Sequence, residues 1–137
     1  MSRHVSTVFS PIPGTAAGLG LTQGGRVLVA DRPLGVARGQ GLGSNGAELL
    51  AAALGGCFWN DLHYAAETAQ VAVEVRGVEA EVELAGKPPR VVRAHVRARL
   101  GGAPEAGLQA VFEAAVGSST IANSLTGAFD TTFERLG

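Results

Sequence analysis

The chain reads as α+β, and three features of the sequence predict that class. Glu48 to about Ala69 is one helix-length segment, apolar, small or Cys at every position from Leu49 to Trp59. Two later runs, Val71–Leu84 and Val92–Leu100, alternate with the period of a strand. The order of patterns along the chain is short strands, a long helix, two long strands, two helices and a last strand, which is neither all-parallel nor all-helical.

The elements follow in order. Val5–Ser10 is a candidate first strand, ended by Pro11 and Pro13, and Gly14, Gly18, Gly20, Gly24 and Gly25 then read as turns. Arg26–Asp31 is a compact β-type run closed by Pro33, and the glycine-rich stretch Gly35–Gly46 is a loop. Ser44 or Asn45 can cap the long helix, and Glu48 falls near its first turn, where a carboxylate suits the macrodipole. A helix half with no polar face is expected to be buried on all sides. Beyond Trp59, Asn60, Asp61, His63 and Glu67 are expected to face water or a partner.

The strand after the helix changes parity. Val71, Val73 and Val75 are odd, whereas Val78, Ala80, Val82 and Leu84 are even, so a bulge is expected at Gly77. Past a turn at Gly86–Pro89, Val92, Ala94, Val96, Ala98 and Leu100 share one face, opposite Arg93, His95, Arg97 and Arg99. An antiparallel hairpin with one solvated face is the prediction. Pro104–Ala115 is a second helix broken by Gly117. A third, capped by Ser118 or Ser119, runs through Leu125 to Gly127, and Ala128–Arg135 is the last strand.

Composition bounds the function. Residues 1–137 are read as a single domain, with 46 % hydrophobic residues for a core and a net charge of -1. That balance offers no footprint for nucleic acid or an anionic membrane, and the arginines of Arg76–Arg99 read as a solvated strand face. The apolar run Leu49–Trp59 is too short to span a bilayer, and Met1–Ser10 holds no signal-type apolar stretch, so the cytoplasm is the expected location. The one cysteine, Cys57, excludes an intramolecular disulfide and the multi-Cys zinc sites. Asp61 and His63, two apart on a helix, point away from each other, and no metal is expected. Gly41-Leu-Gly43-Ser-Asn-Gly46 satisfies G-x-G-x-x-G but lacks a strand directly before it, and no G-x-S-x-G elbow is present, so neither a dinucleotide site nor a serine hydrolase is supported.

Cys57 is the one plausible redox centre, although a lone Cys is more often a small buried hydrophobe. Its surroundings decide the reading. Asn45-Gly-Ala-Glu-Leu-Leu-Ala-Ala-Ala-Leu-Gly-Gly-Cys57-Phe resembles the cysteine-bearing helix of the OsmC/Ohr family, in particular the E-L-L-x-x-A-L-G-G-C pattern of the general OsmC-like branch. The resemblance implies antiparallel sheets wrapped around long central helices in an intertwined homodimer. It also implies a thiol-dependent peroxidase that reduces organic hydroperoxides in oxidative-stress defence. On that basis Cys57 is the expected nucleophile, Glu48 a polar positioner and Arg38 the thiolate partner, with Phe58 and Trp59 lining an apolar substrate pocket. No cofactor is expected.

The sequence also departs from the family pattern. Ser119 stands where the resembled proteins carry their resolving cysteine, so any sulfenic acid on Cys57 needs an external thiol or dithiol reductant. Glu48 is one residue displaced from the Ohr-branch glutamate, and no arginine lies between Ser10 and Gly25; Arg26, Arg32 and Arg38 are the nearest substitutes. The alternative is a catalytically weak OsmC-like protein that binds a small apolar ligand at the dimer interface, with Cys57 inert.

Overall fold

The computed structural model describes all residues, Met1–Gly137, as two compact units, Met1–Leu49 and Leu50–Gly137. The first unit is a three-stranded antiparallel sheet of β1 (Thr7–Pro11), β2 (Gly18–Thr22) and β3 (Val27–Ala30), with β2 in the centre. β2 runs through glycines that read as turn markers. It is a strand because Gly20 lies under the Phe9 ring, where an added Cβ would sit 2.7 Å from Cε1. Glycine here admits an aromatic cross-strand neighbour.

Helix α1 (Gly46–Ala69) opens on a reciprocal capping box. The Glu48 N–H donates to Asn45 Oδ1 at 2.9 Å, and the Asn45 N–H donates to Glu48 Oε1 at 3.0 Å. Its far end closes on a Schellman arrangement: Val71 N–H donates to the Ala66 carbonyl and Gln70 N–H to that of Glu67, with Gln70 at φ 56°.

In the second unit, α1 lies with α2 (Glu105–Ser118), α3 (Thr120–Ser124) and the sheet of β4 (Glu74–Ala85), β5 (Arg90–Gly101) and β6 (Asp130–Leu136). The core joins Leu54, Phe58, Leu62 and Ala65 of α1 to Ala94, Val96, Ala98 and Leu100 of β5 and to Leu108, Val111, Phe112 and Ala115 of α2. Phe58 is its centre, edge-on to Phe112 at 5.8 Å and tilted against Phe133 at 4.9 Å. The mixed α+β class is as predicted. No helix is long and apolar enough to cross a membrane.

Several expectations are corrected. The register slip in β4 leaves Arg76 as the extra residue, one before Gly77. A second irregularity sets Val92 out of register, because Glu83 pairs with Arg93 while Leu84 pairs with Val91; Val92 is therefore 39 % exposed instead of buried. β6 pairs with β5 in parallel, so this sheet is mixed, because α2 and α3 carry the chain back across before β6 begins. Gly117 lies inside α2, which ends at Ser118. Finally, α1 is not covered on all sides by its own chain: Ala52, Ala53, Gly56, Trp59, Asn60, His63 and Tyr64 form an exposed face.

Candidate functional site

The site is built on one face of α1. Cys57 is half-buried, and its Sγ donates to Asp61 Oδ2 at 3.4 Å. Four residues along a helix turn by about 40°, so Asp61 stands directly beyond the cysteine on the same face. Asp61 is 8 % exposed. A carboxylate so enclosed is costly unless something compensates it, and the thiol is the hydrogen-bond partner it has.

The third member comes from the far end of the chain. Ser119 occupies the N-cap position of α3, where a serine hydroxyl ordinarily accepts from the first turn. It makes no such cap, and its Oγ instead lies 3.9 Å from Cys57 Sγ, with the residue 1 % exposed. The α2–α3 junction thus aims a hydroxyl at the thiol across 62 residues of sequence. A second sulfur in place of that oxygen would face Cys57 directly.

The other predicted residues have contacts of their own. Glu48 is nine residues before Cys57, about 13 Å by helical rise and turned by about 180°. Its carboxylate is engaged in the capping box. Phe58 is wholly buried in the core, whereas Trp59, the next residue and about 100° round the helix, is 40 % exposed with its ring 5.7 Å from that of His63. Arg38 belongs to the first unit, in a left-handed turn (φ 66°) lining a cavity of about 430 Å³ with Arg32, Phe9 and Pro11. That loop is held by Asp31, whose carboxylate accepts the N–H groups of Arg32, Gln40 and Leu42 at 2.8, 3.1 and 2.9 Å. The Leu42 N–H, against burial, holds the Asp31 carboxyl below its ordinary value, helped by the Arg32 and Gln40 N–H groups and the Arg32 charge.

Asp61 is the site residue that the sequence reading missed. The expectation that it faces water or a partner is corrected by its burial, and its i, i+4 spacing from Cys57 is the signal that places the two on one helix face.

The sequence pattern of the family described as OsmC-like protein matches residues 39–134. The chain belongs to the OsmC-like family. Solved structures of the family share its fold. An organic hydroperoxide resistance protein OsmC from Legionella pneumophila is 20 % identical, with a TM-score of 0.71 over 96 % of this chain and 97 % of that one. The organic hydroperoxide resistance protein OhrB of Bacillus subtilis is 19 % identical, with a TM-score of 0.69 over 98 % of each chain. An OsmC-like protein of unknown function from Vibrio cholerae is 16 % identical, with a TM-score of 0.76 over 98 % of this chain and all of that one. No curated protein sequence matches the chain. At these identities the likeness establishes the fold, and the chemistry rests on Cys57 and its neighbours.

Proposed function

We propose that this protein is a one-cysteine organic hydroperoxide reductase working in the cytoplasm. The observation that carries the reading is the half-buried Cys57 thiol set between the Asp61 carboxylate and the Ser119 hydroxyl, in a chain of the OsmC-like family. Two neighbours of the same fold bear the name organic hydroperoxide resistance protein, which is the substrate class taken here.

In the first half-reaction the Cys57 sulfur attacks the terminal peroxide oxygen. The S–O bond forms and the O–O bond breaks. The alkoxide leaves and takes up the thiol proton as an alcohol, and sulfur is oxidised to a sulfenic acid. In the second, one thiol of an external dithiol displaces water from that sulfur to give a mixed disulfide. The other thiol then releases Cys57 and leaves the reductant as its own disulfide. Ser119 cannot take that part, since an oxygen forms no disulfide.

The working unit in this proposal is a homodimer formed through the exposed α1 face. Its small residues Ala52, Ala53 and Gly56 allow close helix approach, and Trp59 adds apolar area to that face.

One observation favours a second reading, a binder of small apolar ligands with an unreactive thiol. The Cys57 sulfur faces an acceptor carboxylate and a hydroxyl, not a cation that would stabilise a thiolate. Intact-mass spectrometry of the native protein after brief exposure to cumene hydroperoxide, with a sulfenic-acid trap present, separates the two. Trapping at Cys57 that is absent in Cys57→Ser, and reversal of untrapped oxidation by dihydrolipoamide, is the expected result. A thiol that stays unmodified under conditions that oxidise free cysteine defeats the peroxidase reading. The same assay on Arg38→Ala tests the arginine expected to assist the thiolate.

A further inference from the structure

We propose that Asp61 is a catalytic residue of this site, the group that takes the Cys57 proton as sulfur attacks and hands it to the departing alkoxide. The inference rests on the peroxidase reading and assigns the proton path within it.

Two observations carry it. Asp61 Oδ2 is the acceptor of the Cys57 S–H at 3.4 Å, so the proton that must leave sulfur already points at a carboxylate oxygen. Asp61 is also nine-tenths buried with no cation or backbone N–H bound to it. Asp31, the comparable case, receives three N–H groups and an arginine. A structural role would be served as well by Asn or Leu at less desolvation cost. Glu48, the carboxylate singled out from the sequence, is held by the Asn45 backbone instead.

The chemistry requires such a group. An alkoxide is a far stronger base than a thiolate, so breaking the O–O bond of an organic hydroperoxide is helped when a proton reaches the leaving oxygen during the step. The Asp61 carboxylate accepts the thiol proton while the S–O bond forms. As its conjugate acid it protonates the alkoxide. Sulfur ends as sulfenic acid, the peroxide as an alcohol, and the carboxylate as it began.

The test measures the rate of Cys57 oxidation by cumene hydroperoxide across mildly acidic to alkaline pH in the full-length protein and in Asp61→Asn and Asp61→Glu. Asp61→Asn is expected to lose on the order of 10²-fold at neutral pH, the usual scale of general acid–base catalysis, and to recover as hydroxide replaces the lost base. Asp61→Glu regains part of the rate. An Asp61→Asn protein that is folded by circular dichroism and reacts as fast as the wild type, or faster because a negative charge has gone, overturns the proposal. A wild type inert to the peroxide overturns the peroxidase reading instead. In that event alkylation of Cys57 by iodoacetamide reads proton removal alone: a slower Asp61→Asn supports the assignment, and an equal or faster one removes it.

Discussion

Gly55 of α1 and Ala80 of β4 approach so closely that a methyl group added to Gly55 would stand 3.1 Å from the Ala80 Cβ. Next to it, Gly56 has open space around the same added group. The pair of glycines before Cys57 therefore does two different things. Gly55 lets helix and sheet meet, which positions the cysteine-bearing turn over the core. Gly55→Val is expected to destabilise the fold by about 1–3 kcal/mol through overpacking. Within one subunit Gly56→Ala has room and is expected to gain up to about 1 kcal/mol of helix propensity, a gain that the close helix approach of the proposed dimer offsets. Urea denaturation of both variants checks the contrast, and equal effects would remove it.

Gln70 carries the left-handed conformation that closes α1, a place usually filled by glycine. An L side chain there costs about 1–2 kcal/mol. Gln70→Gly is expected to raise stability by roughly 1 kcal/mol, less the entropy that glycine adds to the unfolded chain. Calorimetric melting of the two proteins tests the sign.

Asp31 sets an acid limit on the loop before α1. Its folded-state carboxyl is held below the ordinary value of 3.8, so the unfolded chain binds the proton more readily. The stabilisation it contributes is complete above that ordinary value and is lost as pH falls through the lower folded one. Asp31→Asn should therefore be less stable at neutral pH, with the difference shrinking as the solution is acidified below 3.8. Denaturation midpoints measured as a function of pH provide the comparison.

Ser119→Cys converts the contact at 3.9 Å into a pair of thiols. A disulfide needs sulfurs about 2.05 Å apart, a modest approach from that separation for side chains free to rotate. A mild oxidant is expected to give an intramolecular disulfide between Cys57 and the introduced thiol, seen as the loss of two hydrogens and of both alkylation sites. With peroxide as oxidant, the sulfenic-acid trap should then capture far less of Cys57. Failure to cross-link under a disulfide-forming oxidant would contradict the placement of the α2–α3 junction.

Much of this was legible in the sequence, because local patterns obey local physics. The α1 helix, the strand parity change near Gly77, the hairpin of β4 and β5 and the α+β class all follow from periodicity, caps and turn residues within a few positions of each other. The lone cysteine and its E-L-L-A-A-A-L-G-G-C setting pointed to the family. What required the tertiary structure was everything decided at long range. β2 is a strand because Phe9 covers Gly20, and β6 runs parallel because two helices bring the chain back to the same edge. Ser119 meets Cys57 from 62 residues away, a contact that no periodicity encodes. Asp61 lies between these cases. Its spacing from Cys57 was visible throughout, but a carboxylate near the polar end of a helix looks solvated until packing shows that it is buried, with a thiol as its hydrogen-bond partner. Sequence determines which faces a helix has, and only packing decides which of them water can reach.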